Sequence, residues 1–223
     1  MNHTDTLVIA CATVMEAIRP HLPDHVDHVT LDFGLHALPC RLHRTLQEHI
    51  NRADGRYDTL ILGYGLCSLA LAGISAAHSQ LVIPRVDDCI AIFLGSRSAY
   101  LSQFNRVPGT YYLTKGWIEA GDTPFSEYDK NCDIYGKEKA DAIYQLMMAN
   151  YTRLVFIHTQ QAANMDSYRN YTRETAKRFG LVFDEIQGSD ALIQKLLHGP
   201  WDEDILIVEP GGKVRMEAFI AIN

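Results

Sequence analysis

Three cysteines in this chain each follow a short apolar run, and a thiol is a side chain that binds metals and attacks substrates. They are Cys11, Cys67 and Cys89, and the runs are Leu7–Ala10, Thr59–Gly63 and Leu81–Pro84. Such runs are typical of buried parallel strands. The carboxyl ends of parallel strands lie along one edge of a sheet, where ligands bind in open α/β folds. The sequence therefore predicts a metal site or a reactive-thiol site at that edge.

Cys67 and Cys89 form the centre of the predicted site. Cys67 lies in GYGLCS, where two glycines allow a sharp turn, and we expect a following helix over 68–77 to stabilise its thiolate. Cys89 lies in PRVDDCIAIFLGS at a second predicted helix start. The third ligand is either His43 or Cys11, and such a set selects Zn²⁺ or an iron–sulfur cluster. The alternative reading of each cysteine is an ordinary buried residue.

Polar and aromatic residues near these cysteines are candidates for substrate binding and catalysis. Arg85 and Asp87 lie between an apolar run and Cys89, where a helix cap with a structural ion pair is the alternative explanation. In PGTYYLTKGWIE, Lys115 would join Arg85 in binding an acidic group of the substrate. Tyr112 and Trp117 would wall the pocket through aromatic contacts, although a core strand with two amphipathic rings explains the same stretch.

Composition and charge exclude several classes of function. The net charge of −7 argues against nucleic-acid binding, which needs a basic face. No apolar stretch reaches the roughly 20 residues that span a bilayer, and the N-terminus lacks the basic region of a signal peptide. Five cysteines are an odd number at irregular spacing, which favours free, metal-bound or catalytic thiols over disulfides. We therefore expect a cytoplasmic protein.

Apolar runs and helical patterns alternate along the chain on both sides of residue 110. This alternation predicts an α/β fold with a mostly parallel sheet flanked by helices. Two similar Rossmann-like halves, 1–110 and 111–223, with a cleft between them fit the pattern, and so does one continuous domain. The sequence has none of the motifs GxGxxG, HExxH, GxSxG or CxxC, so it carries no cofactor fingerprint of its own.

Five stretches together make the chain similar to a known family. They are LHRTLQEHI, DTLILGYGLCSLALAG, LVIPRVDDCIAIFLGS, PGTYYLTKGWIE and ANYTRLVFIHT. Over most of its length the chain resembles the bacterial and archaeal family catalogued as domain of unknown function 1638. His43, Cys67 and Cys89 fall on positions of the family pattern. Members often look like neighbours of corrinoid methyltransferase systems, so the resemblance implies a role in one-carbon metabolism.

These observations lead to one main hypothesis and two alternatives. The main one is a metal-dependent enzyme that activates a small thiol or methyl donor through a Lewis-acidic metal, with any corrinoid brought by a partner protein. The second is an accessory module that holds a metal or iron–sulfur cluster and docks to a corrinoid protein without turnover. The third is a metal-free enzyme with Cys67 or Cys89 as nucleophile. Substrate, turnover and oligomeric state are left open.

Overall fold

The computed structural model describes residues 6–67, 69–121, 123–159 and 165–219. The strands in these ranges are β1 (Thr6–Cys11), β2 (Asp27–Leu31), β3 (Thr59–Gly63), β4 (Gln80–Pro84), β5 (Thr110–Leu113), β6 (Arg153–His158), β7 (Val182–Gln187) and β8 (Ile205–Val208). The α-helices are α1 (Ala12–Ile18), α2 (Pro39–Ala53), α3 (Ile90–Leu94), α4 (Arg97–Arg106), α5 (Lys115–Ala120), α6 (Pro124–Tyr135), α7 (Lys137–Met148), α8 (Met165–Arg178) and α9 (Ala191–His198). Short 3₁₀ helices cover Arg19–His21, Phe33–Ala37 and Met216–Phe219.

The strands form two sheets. The larger sheet has the order β2-β1-β3-β4-β8, in which the first four strands are parallel and β8 runs antiparallel to β4. The smaller sheet is parallel and has the order β5-β6-β7. The predicted α/β class with a mostly parallel sheet flanked by helices is therefore confirmed. None of the helices in the described ranges is both long and apolar enough to cross a membrane.

The chain divides into two compact units. One contains the described parts of residues 1–100 and 189–223, and the other comprises the described parts of 101–188. This division differs from the predicted halves 1–110 and 111–223, because the chain returns to the first unit after β7. There α9 packs against β4, and β8 adds an antiparallel edge to the larger sheet. The two units also differ in strand number and direction.

Periodic burial explains how α2 packs on the larger sheet. Leu42, Leu46, Ile50 and Ala53 are buried at spacings of three and four residues, which places them on one face of the helix. They share an apolar cluster with the inward side chains of β1, β3 and β4. Burying each large aliphatic side chain contributes roughly 1.5–3 kcal/mol. This packing fixes the parallel strands whose ends carry the cysteines.

The helix predicted over 68–77 is absent from the described part of that range, residues 69–77, so this prediction is wrong. Leu69 and Gly73 have φ angles of +71° and +87°, in the left-handed region that interrupts a right-handed helix. The amide of Gly73 donates to the carbonyl of Val214, and the amide of Val214 donates to Ile74, each at 2.8 Å. Tertiary hydrogen bonds to the C-terminal segment thus replace the helical ones.

Asp54, directly after α2, binds the last residues of the segment that connects β3 to β4. Its carboxylate accepts the backbone amides of Ala77, His78 and Ser79, each at 2.8 Å. Burial alone would raise the pKa of Asp54, but these amide hydrogen bonds outweigh it and lower the pKa below its ordinary value. The ionised carboxylate therefore stabilises the entry into β4.

We predict that Asp54→Ala lowers the free energy of unfolding by roughly 1 kcal/mol, because the amides of Ala77, His78 and Ser79 lose a charged acceptor that water only partly replaces. Urea denaturation at pH 7 measures this loss, with the exposed Asp24→Ala as the control. Since the folded pKa is depressed, the contribution is full above the unfolded pKa of about 3.9 and disappears as pH falls through the folded pKa. An Asp54→Ala deficit that persisted unchanged at pH 2 would contradict this explanation.

Candidate functional site

Three neighbouring parallel strands deliver the three cysteines to one edge of the larger sheet. Cys11 is the last residue of β1, and Cys67 and Cys89 lie in the segments that leave β3 and β4. The order β1-β3-β4 places these carboxyl ends side by side. In an open parallel sheet this is the edge at which ligands bind. We call Cys11, Cys67 and Cys89 the three-thiol cluster.

Backbone hydrogen bonds join the segments that follow β3 and β4. The amide of Leu66 donates to the carbonyl of Val86 at 2.9 Å, and the amide of Cys67 donates to the carbonyl of Asp87 at 3.1 Å. A Cβ atom on Gly65 would lie 2.9 Å from the backbone of Asp88, so only glycine permits this approach. The two segments are thereby held against each other, with Cys67 close to the turn that carries Cys89.

Cys67 itself has an unusual backbone conformation. Its φ angle is +45°, a region that residues other than glycine seldom occupy. Such conformations cost about 1–3 kcal/mol and persist where the surrounding structure enforces them, often at functional sites. Here the hydrogen bond to Asp87 supplies part of that constraint.

The thiols act on one another electrostatically. Burial, followed by the charges of Cys11 and Asp88, raises the pKa of Cys67 to about 12. Burial and then the charges of Cys67, Cys11 and Asp88 raise the pKa of Cys89 well above its ordinary value. Burial also raises the pKa of Cys11, although the hydroxyl of Thr13 lies 3.2 Å from its sulfur. Each of the three thiols therefore holds its proton more strongly than an ordinary cysteine does.

The expected stabilisation of the Cys67 thiolate by a helix N-terminus is wrong. The described residues after Cys67 form turns instead of a helix, and the pKa of Cys67 is raised instead of lowered. Cys89 does precede a helix as predicted, but α3 has only five residues. Burial and neighbouring negative charge outweigh whatever its dipole contributes.

Tyr64 is a site residue that the sequence analysis did not identify. It is only 3% exposed, and its buried hydroxyl has no hydrogen-bond partner among the residues that the structure describes. Burial and then the charges of Cys11, Cys67 and Cys89 raise the pKa of Tyr64, so its hydroxyl lies within electrostatic reach of the whole three-thiol cluster. Leaving such a group unsatisfied costs about 1–3 kcal/mol. In the sequence it is only an aromatic residue directly after β3, which does not by itself indicate a site.

Asp88 lies at the start of α3, where the acidic pair Asp87-Asp88 predicts a helix cap. Its Oδ1 accepts the amide of Ile90 at 2.8 Å, which satisfies one of the free amides at the start of α3. Burial, reinforced by the charge of Asp87, raises the pKa of Asp88. Because Asp88 also raises the pKa of Cys67 and Cys89, its carboxylate adds negative charge beside the thiols.

His43 lies on α2 and contacts the segment that begins at Cys67. Its Nδ1 is 2.9 Å from the carbonyl oxygen of Ala70, and the amide of Ala70 in turn donates to Cys67. A backbone carbonyl that accepts from one ring nitrogen leaves the other nitrogen available as a ligand, a typical arrangement for metal-binding histidines. The electrostatic partners named above for Cys67 and Cys89 include Cys11, and the choice between Cys11 and His43 as third ligand stays a prediction.

Arg85 and Asp87 take different positions around the segment after β4. The backbone amide of Arg85 donates to the carbonyl of Asp204 at 2.7 Å. Within the described ranges, the buried Nε of Arg85 has no hydrogen-bond partner. The carboxylate of Asp87 is exposed and lies 3.3 Å from Nε of Arg97. The side chain of Asp87 thus forms a surface ion pair, as the structural alternative predicts. Its backbone carbonyl accepts the hydrogen bond from the amide of Cys67.

Tyr112, Lys115 and Trp117 belong to the second unit, 101–188. Lys115 forms an ion pair with Glu119 on α5 at 3.3 Å. Tyr112 is buried in β5, and Trp117 packs against the apolar cluster of this unit. The contacts of Tyr112 and Trp117 agree with the alternative of a core strand with two amphipathic rings. A part of these three residues in a substrate pocket stays a prediction.

Metal-binding geometry is not already assembled. Across the described residues, no group of three or more histidine, cysteine, aspartate or glutamate side chains stands in an arrangement that could hold a metal ion. The thiols influence one another electrostatically without forming such a group, so metal binding by them stays a prediction.

Fold and site together define an α/β protein with a thiol cluster at the carboxyl edge of a parallel sheet. The family model described as "Protein of unknown function (DUF1638)" matches residues 30–197, and the chain belongs to this family. The matched range includes His43, Tyr64, Cys67 and Cys89, and it begins after Cys11. No curated protein and no solved structure matches the chain.

The raised pKa values predict slow alkylation of the three-thiol cluster in the metal-free protein. Because alkylation rates follow the thiolate fraction, we expect each of the three to react with iodoacetamide at pH 8 at least about tenfold more slowly than the exposed Cys40. Mass spectrometry of tryptic peptides over time measures the rates. Faster labelling of Cys67 or Cys89 than of Cys40 would show an activated thiol and contradict the electrostatic description.

Proposed function

We propose that the three-thiol cluster binds a soft metal, Zn²⁺ or the iron of an iron–sulfur cluster, with Cys11, Cys67 and Cys89 as ligands. The observation that carries this proposal is the convergence of three neighbouring strand ends, held by the backbone bonds from Leu66 and Cys67 to the next segment. Thiolates prefer such metals to hard cations such as Mg²⁺.

The chemistry of the donor set fits such a metal. Crowded, buried thiols repel one another once ionised, as the raised pKa values of Cys67 and Cys89 reflect. A bound cation offsets that repulsion and deprotonates its thiol ligands outright. The same argument disfavours the metal-free nucleophile, since a nucleophilic cysteine needs a lowered pKa.

Three protein ligands leave a fourth position for a substrate, which is the arrangement of catalytic zinc sites. When bound, the metal supplies Lewis acidity that keeps a small thiol ionised near neutral pH. Arg85 is suited to binding an acidic group of such a substrate, because no described residue accepts a hydrogen bond from the Nε of its side chain. The specific activity we infer is activation of a small thiol or methyl donor, with a corrinoid, where involved, carried by a partner protein.

A second candidate function rests on His43. Its Nδ1 contact with Ala70 fixes the ring against the Cys67 segment and frees Nε2 to be a fourth ligand. A closed set of three cysteines and one histidine would indicate a structural or docking role, because no position would remain for a substrate. This is the accessory-module hypothesis.

Metal content separates these functions. We expect anaerobically purified protein to contain about one zinc ion, or one iron–sulfur cluster, per chain. We expect replacement of any one cluster cysteine by serine to reduce metal occupancy at least about tenfold, because it removes a thiolate that binds the metal directly. The three variants are Cys11→Ser, Cys67→Ser and Cys89→Ser. Cys40→Ser is the matched control and should bind as the wild type does, since Cys40 is exposed and outside the cluster.

Elemental analysis identifies the bound metal, and determination of inorganic sulfide shows whether it belongs to an iron–sulfur cluster. A wild-type chain without metal overturns the proposal, and full occupancy in one of the three variants removes that cysteine from the ligand set. His43→Ala then distinguishes the two functions: unchanged occupancy supports the open site, and lost occupancy supports the closed one.

A further inference from the structure

We propose that the carboxyl edge of the larger sheet carries a binding site for a small oxyanion, a carboxylate or a phosphate, and that the hydroxyl of Tyr64 and the guanidinium of Arg85 bind it. The site lies on the face of the sheet that α2 covers. It goes beyond the proposed function because it needs no bound metal, and it adds a second residue to the role proposed there for Arg85.

Strand register places Tyr64 and Arg85 side by side. They directly follow the last residues of β3 and β4. Ile61 pairs with Val82 in the parallel ladder before them, and the amide bond from Leu66 to the segment after β4 continues the same register beyond them. Neighbouring strands lie about 4.8 Å apart, so the two side chains begin about one strand spacing from each other.

Both side chains extend from the same face of the sheet. Tyr64 belongs to the apolar cluster that α2 shares with the sheet, and so does Ile83, two residues before Arg85. Successive side chains of a strand alternate between the two faces. The amide of Arg85 continues the ladder to β8 through the carbonyl of Asp204, so the alternation extends to Arg85. Arg85 therefore lies on the same face as Tyr64 and in the same row.

Each of these two side chains has a buried donor without an acceptor. Tyr64 is 3% exposed, and neither its hydroxyl nor the buried Nε of Arg85 has a hydrogen-bond partner among the described residues. Burial raises the pKa of Tyr64, so its phenol keeps the proton, and a guanidinium never loses its own. Nearly all buried polar side-chain atoms in proteins have a partner. Two adjacent donors without one therefore indicate a ligand that accepts hydrogen bonds from both.

The charge of Arg85 identifies this ligand as an anion. Water would satisfy the hydroxyl of Tyr64, but a half-buried charge also needs an opposite charge. Acidic side chains outnumber basic ones by 27 to 20, yet in the described ranges none forms an ion pair with Arg85. The carboxylates that neighbour Arg85 along the chain or across the ladder each bind another group: Asp87 binds Arg97, Asp88 the amide of Ile90, and Asp204 Lys195.

The geometry of the donors fits an oxyanion. A guanidinium is a planar fork that matches two oxygens of a carboxylate or phosphate group. The hydroxyl of Tyr64 adds a donor from the neighbouring strand. Both residues leave parallel strands at the carboxyl edge, where ligands of open α/β sheets bind.

The test titrates acetate and methyl phosphate separately into the metal-free, full-length protein by calorimetry at constant ionic strength. The variants are Tyr64→Phe and Arg85→Gln. The matched controls are Tyr144→Phe, which removes another buried hydroxyl without a described partner, and Arg52→Gln, which removes an exposed charge on α2. We expect a saturable site with the same Kd in the wild type and both controls. Loss of a hydrogen bond to a charged group should raise the Kd about tenfold in Tyr64→Phe and at least about tenfold in Arg85→Gln.

Each outcome decides the inference. Tighter binding of acetate assigns the site to carboxylates, and tighter binding of methyl phosphate assigns it to phosphate esters. Absence of saturable binding of both anions overturns the inference, as does a Kd that either site variant leaves unchanged or that the controls raise equally. Anion binding by a chain that takes up no metal supports this site and overturns the metal proposal alone. Metal uptake without anion binding does the reverse.

A measurement on the wild type keeps the inference testable should either site variant fail to fold. The eleven tyrosines are labelled with ¹³C at Cζ, and the arginines are labelled with ¹⁵N at Nε. We expect the more tightly bound anion to shift one resonance of each kind with the same Kd, because one ligand contacts both side chains. Tyrosine and arginine resonances that stay unmoved at saturating anion, or that move with different Kd values, contradict the inference.

Discussion

Two backbone hydrogen bonds, from Leu66 to Val86 and from Cys67 to Asp87, are the constraint on which the site depends. They join the segment that follows β3 to the segment that follows β4. These segments are separate in sequence, but they leave adjacent strands of the sheet. Gly65 allows the approach because it has no Cβ atom to meet Asp88. Without this contact, the cysteines would still end neighbouring strands, but Cys67 would lose the two bonds that hold its segment against the turn that carries Cys89.

The same region carries most of the unfavourable interactions in the larger unit. Cys67 has a positive φ angle, and burial raises the pKa of each cluster thiol. The buried hydroxyl of Tyr64 has no partner in the described part of the chain. Elsewhere in that unit the chain follows ordinary rules, as the apolar face of α2 shows. Proteins retain such costs mainly at functional sites, where a ligand offsets them. The concentration of these features at one sheet edge is thus a physical argument for binding there.

Much of this architecture could be predicted from sequence, because short apolar runs and helical spacing follow directly from burial. The parallel strands β1, β3 and β4 and the helix α2 are examples. The connection after Cys67 could not, since its alanines and leucines favour a helix locally while hydrogen bonds to Val214 decide the outcome. The return of β8 to the first sheet has no local signal either. Tyr64 escaped notice for a similar reason: an aromatic residue at a strand end is ordinary until its hydroxyl proves to have no partner.

The central claim is that sulfurs from three strand ends bind one metal ion. X-ray absorption at the zinc K-edge of the zinc-loaded, full-length protein tests this most directly, because it counts the sulfur atoms around the metal and measures their distances. The account predicts three protein sulfurs at about 2.3 Å. A first shell with one sulfur or none, made instead of nitrogen and oxygen, would contradict it.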